Sequence, residues 1–223
     1  MPKIETSLLT QQVYDVLREK IIVGEYSPGN KLDINRLAEE FGVSRSPVKD
    51  AINQLEHDGL IEIIPRKGTY VTELNFTAFI EVLDARLMIE QWAAGQMIKN
   101  LPIETIETWG EIVAEMDALL EITPFPFEKY SDLDNHFHKT LIKWTGNSKI
   151  VDMFSSLNTH VSLSRIVHST SLESTIKRHK DHWVLYEAMK ERDLNDFSNA
   201  ITQHIGSLKT EAKARWNEIE EEQ

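Results

Sequence analysis

Four side chains in the second half of this chain have the types and spacing to share a divalent cation. Asp134 and His138 stand four apart, so on a helix both point the same way. His182 and His204 each lie 11 residues from Asp193, one before it and one after. If Asp193 marks the turn of an antiparallel helix pair, equal distances put the two imidazoles at one level. At ~1.5 Å rise per residue that level is ~16 Å from the turn, deep in a bundle. One carboxylate and three imidazoles suit Zn²⁺, or Ni²⁺ or another first-row ion. Helical bundles build such sites from inward side chains on facing helices. By spacing alone the same histidines could be packed for structural reasons, since Asp-x-x-x-His is a weak motif. His136, His160, His168 and His179 lack this symmetry and read as surface or structural residues.

A second stretch with chemistry is Val43 to Ile52. Ser44 reads as an N-cap, and Pro47 falls in the first turn, where a missing N–H costs little. Val48, Ala51, Ile52 and Leu55 recur at helical spacing and form one apolar face. Arg45, Ser46 and Lys49 fall off that face, near the positive end of the helix dipole. Arg, Ser and Lys presented from two turns of helix suit a DNA major groove, where they reach phosphates and the acceptor edge of guanine.

The bulk numbers restrict the classes. The 223 residues fit one large domain or two smaller ones, and 41% hydrophobic content supports a real core. Cysteine is absent, which excludes disulfides, thiolate metal sites and a thiol nucleophile. No apolar run approaches the ~18–20 residues a membrane span needs, and there is no signal-peptide core, so the expected location is cytoplasmic, with no membrane partner. The net charge is −12. Residues 1–74 hold 9 Lys/Arg against 12 Asp/Glu, and the remainder 15 against 24. Neither part is basic, so a DNA-binding face must concentrate its cations, with the acidic remainder helping to orient the molecule. Seven of the eight histidines follow residue 75, which again points to metal chemistry there.

Elements to position these groups are legible. An amphipathic helix runs from Leu9 to Ile22, with Val13, Val16, Leu17, Lys20 and Ile21 along one stripe. Gly24 ends it, and a turn follows over residues 25–30. Asp33 caps a second helix with Ile34, Leu37, Ala38 and Phe41 inward, and Gly42 breaks it. The helix after Val43 ends at His57-Asp58-Gly59, completing a helix-turn-helix. Leu60–Ile64 and Thr69–Thr72 read as two strands joined by a hairpin tip, Pro65-Arg66-Lys67-Gly68, with two cations. Such a wing can enter a minor groove or grip a phosphate. Leu74-Asn75 is the expected joint between domains 1–74 and 75–223. Beyond it helical spacing dominates, with helices expected at 76–99, 103–120, 127–144, 148–167, 173–192 and 194–216. Asp193 and Asp196 resemble an N-cap with its acidic N3 partner. Trp92, Trp109, Trp144, Trp183 and Phe137 read as core, with Trp144 and Trp183 as candidates to wall a pocket.

The first third resembles the winged-helix domain of the GntR family of bacterial transcription regulators. The resemblance rests on Leu17-Arg18, Ile21-Ile22, Gly24, Pro28-Gly29, Leu32, Leu37-Ala38, Gly42 through Val48, Ala51, Leu55, Gly59-Leu60 and the Gly68 wing. It implies operator contacts from Arg45, Ser46 and Lys49, with Ser44 at the head of the helix, and from the wing residues Arg66, Lys67 and Gly68. Lys49 departs from the family's usual Arg; a lysine reaches phosphate but lacks the planar fork that reads guanine. Asn35 stands where relatives carry a DNA-contacting cation.

Residues 76–216 resemble the all-helical effector domain of the FadR-type subfamily, the FCD domain. The signatures are Arg86-Leu87-x-x-Glu90, Ala93-Ala94, Asp134-x-x-Phe137-His138, Gly146-Asn147, and His182 with Ala188, Arg192-Asp193, Ala200 and His204. A count of six helices matches the shorter, VanR-like variant. Many such domains hold a metal with the aspartate and three histidines, and a metabolite carboxylate completes the coordination. Arg86 and Arg165 are then candidate binders of that carboxylate, although Arg86 can equally pair with Glu90 at i,i+4.

The expectation is therefore a mainly α protein: a winged helix-turn-helix of three helices and a two-stranded wing, then a bundle of about six helices. Its function would be that of a homodimeric repressor on double-stranded DNA, controlled by a small organic acid bound at a metal site. The competing readings are a regulator with the ion itself as effector, a purely structural metal, and a metal-dependent hydrolase.

Overall fold

A computed structural model describes residues 4–73, 75–157 and 172–221. Internal contacts divide the chain into two compact units, Met1–Asn75 and Phe76–Gln223.

The first unit comprises α1 (Ile4–Ile22), β1 (Lys31–Leu32), α2 (Ile34–Phe41), α3 (Arg45–His57), β2 (Ile61–Ile64) and β3 (Gly68–Val71). Val13, Leu17 and Ile21 of α1 meet Val48, Ala51, Ile52 and Leu55 of α3 in a dry core. Lys20, expected on that stripe, instead reaches Glu25 and Glu40, and Val16 is exposed. Asp33 caps α2 by accepting from the backbone N–H of Asn35 (2.7 Å) and Arg36 (3.2 Å). Gly42 ends α2 with φ +65°, the left-handed geometry glycine adopts at no steric cost. Tyr14 of α1 donates to Asp58 Oδ2 at 2.5 Å, tying the end of α3 to α1.

The sheet corrects the two-stranded expectation. It has three antiparallel strands in the order β1-β3-β2, with Lys31 opposite Tyr70 and Ile61 opposite Val71. β1 is only two residues long, too short for any alternation to appear, and exists because β3 offers it an edge.

In the second unit the described helices are α4 (Phe76–Met97), α5 (Ile103–Leu120), α6 (Phe127–Lys143), α7 (Ser148–Ser156), α8 (Leu172–Glu191) and α9 (Leu194–Glu221). The helix expected over 148–167 is described only to Ser156. α8 and α9 form the expected hairpin, and Asp193 caps α9 by accepting from Asn195 and Asp196 N–H. Arg192 adopts φ +60° and sends its guanidinium to the carbonyls of Ile98 and Leu101, locking this hairpin to the α4–α5 connection. Trp109 lies flat on Phe137 at 3.9 Å and donates to its carbonyl, joining α5 to α6. Gly110 lets α8 approach α5, because a Cβ there would stand 2.7 Å from Tyr186 Cε2. Trp92 departs from the expected core: it is 40% exposed on α4. Trp144 and Trp183 are half-buried. Among the described residues no helix is long and apolar enough to cross a membrane.

Candidate metal centre and nucleic-acid face

On α3, Pro47 and Val48 turn inward while Ser44, Arg45, Ser46 and Lys49 are exposed. Ser44 occupies the N-cap position, but its hydroxyl makes no capping bond. Pro47 at the third helical position lacks the N–H that such a hydroxyl usually takes. The hydroxyl is thus not used to cap the helix. On the wing, Arg66 and Lys67 are exposed. The turn closes through Lys67 N–H to Ile64 O, and Tyr70 donates to the Lys67 carbonyl. Gly68 has φ +136°, and a Cβ on it would lie 2.8 Å from Lys31 Cε. Its bareness lets Lys31 cross the wing and sit over the Tyr70 ring. Asn35 is exposed on α2.

In the second unit α6, α8 and α9 bring Asp134, His138, His182 and His204 together. One ligand atom from each lies within 4.8 Å of all the others. The three imidazoles are buried. Ring centroids are 5.4 Å apart for His138 and His182, 5.2 Å for His138 and His204, and 4.8 Å for His182 and His204. The expected hairpin symmetry is thus realised at one level of the bundle.

The hydrogen bonds set which nitrogen faces the centre. His138 Nδ1 donates to Glu90 Oε2 at 2.6 Å. His182 Nδ1 donates to the carbonyl of His179 at 3.2 Å, an oxygen that can only accept. His204 Nδ1 lies 3.5 Å from Asp181 Oδ2. In His138 and His182 Nε2 is then the unprotonated nitrogen; the Nε2 atoms of all three rings, and His204 Nδ1 as well, are buried with no hydrogen-bond partner. His182 Nε2 is 3.0 Å from Asp134 Oδ1 but without hydrogen-bond geometry. Buried imidazole nitrogens without partners are costly and rare. Their lone pairs beside one carboxylate form a donor set that fits a divalent cation.

Charge states agree with that fit. Burial lowers the pKa of His138, helped by Arg86, against the pull of Glu90. Burial lowers His204 to about 3, opposed by Asp181 and reinforced by the neighbouring His182, His138 and Arg86. Burial would raise Glu90, yet His138 and Arg86 hold it at about 2. Burial would likewise raise Asp134, but His182 and His138 keep it well below the usual range. At neutral pH the cluster presents neutral His138 and His204 with two ionised carboxylates.

Glu90 is the member of this cluster that its i,i+4 spacing to Arg86 did not reveal. It bridges Arg86 Nε (2.6 Å) and His138, both buried. The anticipated Arg86–Glu90 pair therefore forms, but it leaves Arg86 Nη2 buried and unpartnered. Arg165 lies outside the described residues. His179 is satisfied on both nitrogens, donating to Asp117 at 2.7 Å and accepting from Tyr130 at 3.2 Å. It holds His182 only through its carbonyl. Asn147 caps α7.

Comparison with known proteins agrees with this architecture. Residues 9–71 match the bacterial regulatory proteins of the gntR family, and residues 81–207 match the FCD domain. The transcriptional repressor RspR of Escherichia coli K12 is 25% identical over 206 residues, spanning 91% of this chain and 88% of that protein. The gluconate operon transcriptional repressor of Bacillus subtilis is 27% identical over 211 residues, spanning 90% of this chain and 83% of that protein. The solved structure of E. coli McbR/YncC superposes with a TM-score of 0.73 at 17% identity, covering 93% of this chain and 98% of that one, which is a likeness of fold. Proteins of this kind regulate transcription and are not enzymes, so the hydrolase alternative falls away.

Proposed function

From the premise that this chain belongs to the GntR family and is a DNA-binding transcriptional regulator with an FCD domain, we propose that it is a homodimeric cytoplasmic repressor whose operator affinity is set by a small carboxylate. The carboxylate binds at a divalent metal, Zn²⁺ by donor type, held by Asp134, His138, His182 and His204. The carrying observation is the set of inward, unpartnered Nε2 atoms beside Asp134, with the unpartnered Arg86 Nη2 buried close by. The metal would supply an electrophilic centre for a carboxylate oxygen. Arg86 supplies the second charge, pinned in orientation by Glu90.

DNA is gripped by the exposed cations of the first unit. Arg45 reads base edges, Lys49 holds phosphate, and Ser44, Ser46 and Asn35 add hydroxyl and amide contacts. Arg66 and Lys67 follow the backbone from the wing, with Gly68 giving the tip its shape. Two-fold symmetry would place two such heads on a pseudo-palindromic operator. Coupling between the two ligands is reciprocal: if the acid weakens DNA binding, DNA weakens acid binding by the same factor.

Elemental analysis of purified protein and of the His138→Ala/His182→Ala double variant tests the centre. About one metal per chain, lost in the variant, supports it; no metal after reconstitution rejects it. Operator titration with and without small carboxylates tests the effector. A response to the ion alone, indifferent to every acid, would make the ion the effector instead.

A further inference from the structure

We propose that Arg178 is a second carboxylate-binding guanidinium beside the metal cluster, so that the effector is a two-ended acid: a short dicarboxylate with one end at the cluster and Arg86 and the other displacing Glu211 from Arg178. This rests on the effector reading above and specifies its ligand class.

Position is the first argument. Arg178 stands four residues before His182 on α8, on the same face and ~6 Å along the axis. Glu211 stands seven residues after His204 on the antiparallel α9, on the same side of the metal level. Tyr130 stands four residues before Asp134 on α6, and its hydroxyl meets His179, the neighbour of Arg178. Three of the helices that carry the metal cluster therefore place polar side chains in one adjacent layer.

Satisfaction is the second. Arg178 Nη1 bonds Glu211 Oε2, and the two side chains are only 11% and 17% exposed. The other oxygen, Glu211 Oε1, is buried without a partner. Thr175, three residues before Arg178 and fully buried, also leaves its hydroxyl without one. Arg86 Nη2 and the Nε2 atoms of His138, His182 and His204 are buried without partners as well. Folded proteins leave few such atoms, and a purely structural ion pair gives no reason for them. A guest acid answers the donors among them: its far carboxylate takes the place Glu211 now fills against Arg178 and accepts from the Thr175 hydroxyl, and Glu211, whose Oε1 finds no donor here, turns away.

Length follows. With bonds of ~1.5 Å, four or five carbons put the two carboxyl carbons about 4–5 Å apart, which suits groups one helical turn from each other. Arg178 thereby selects against acids of the same length with an apolar end.

The experiment is calorimetric titration of the Zn²⁺-loaded full-length chain with succinate and with butyrate. The expected result is a preference for succinate of ~10-fold or more, the scale of a charge-assisted bond. Arg178→Gln should abolish the preference by weakening succinate alone. Glu211→Gln should raise succinate affinity, because the guest no longer competes for Arg178; this variant decides the matter if Arg178→Gln does not fold. Equal binding of both acids to the wild type, a preference that survives Arg178→Gln, or an unchanged or lowered succinate-to-butyrate ratio in Glu211→Gln overturns the second subsite. If neither acid binds the wild type, the carboxylate-effector reading itself fails, and this inference with it.

Discussion

Replacing Glu90 by Gln should weaken the metal centre without touching any of its four proposed ligands. Glu90 Oε2 accepts from His138 Nδ1 at 2.6 Å, while its Oε1 accepts from Arg86 Nε at 2.6 Å. Loss of such an outer partner typically costs ~10–100-fold in metal affinity. At free Zn²⁺ about 1,000 times Kd, binding stabilises the fold by ~4.1 kcal/mol; a ~30-fold weaker site leaves ~2.1 kcal/mol. At ~2–4 °C per kcal/mol for a chain of this size, the metal-induced rise in Tm shrinks by ~4–8 °C. The substitution also leaves the Arg86 guanidinium without its buried counter-ion, which lowers metal-free stability by up to ~3–5 kcal/mol. The informative quantity is therefore the difference between Zn²⁺ and chelator within each protein, followed by thermal unfolding. An identical metal-induced shift in wild type and Glu90→Gln would refute the argument that the Glu90 carboxylate strengthens His138 as a metal ligand.

Arg45→Ala should weaken specific operator binding by ~1–3 kcal/mol in footprint titration, whereas Lys67→Ala should weaken all sequences alike and lower the salt slope by about 1. Gly110→Ala should destabilise the second unit by ~1–3 kcal/mol in chemical denaturation, since its methyl would meet the Tyr186 ring at 2.7 Å. In chelator, stability should fall as pH drops from about 7 to 5: unfolded His204 takes a proton near 6.5, while the folded group resists until about 3. The unfolded state then binds more protons across that window, and stability rises with pH. The lowered pKa values of His138 and His179 act with the same sign, and a flat profile between pH 7 and 5 would contradict the burial argument.

What could be read along the chain was what helical arithmetic governs. Asp33 and Gly42 bracket α2 because capping and left-handed turns are decided by a few adjacent residues. Asp134 with His138, and His182 with His204 about Asp193, converge because i,i+4 spacing and equal arms of a hairpin leave few other outcomes. The exposed trio Arg45, Ser46 and Lys49 follows from the apolar period of α3. The Arg86–Glu90 pair was legible for the same reason, but its meaning was not: that Glu90 turns to His138 depends on α4 packing against α6, a contact 48 residues apart. Arg178 and Glu211 meet across α8 and α9, 33 residues apart, and no local pattern marks either one. β1 arises from the edge of β3, and Trp92 is exposed because of how α4 is turned against α6 and α9. The sequence by itself determined most helix positions, the caps at Asp33 and Asp193 and the four convergent donors, since each depends on near neighbours. Tertiary structure alone decided which polar groups stand behind those donors, because burial and partnership depend on which helix faces meet.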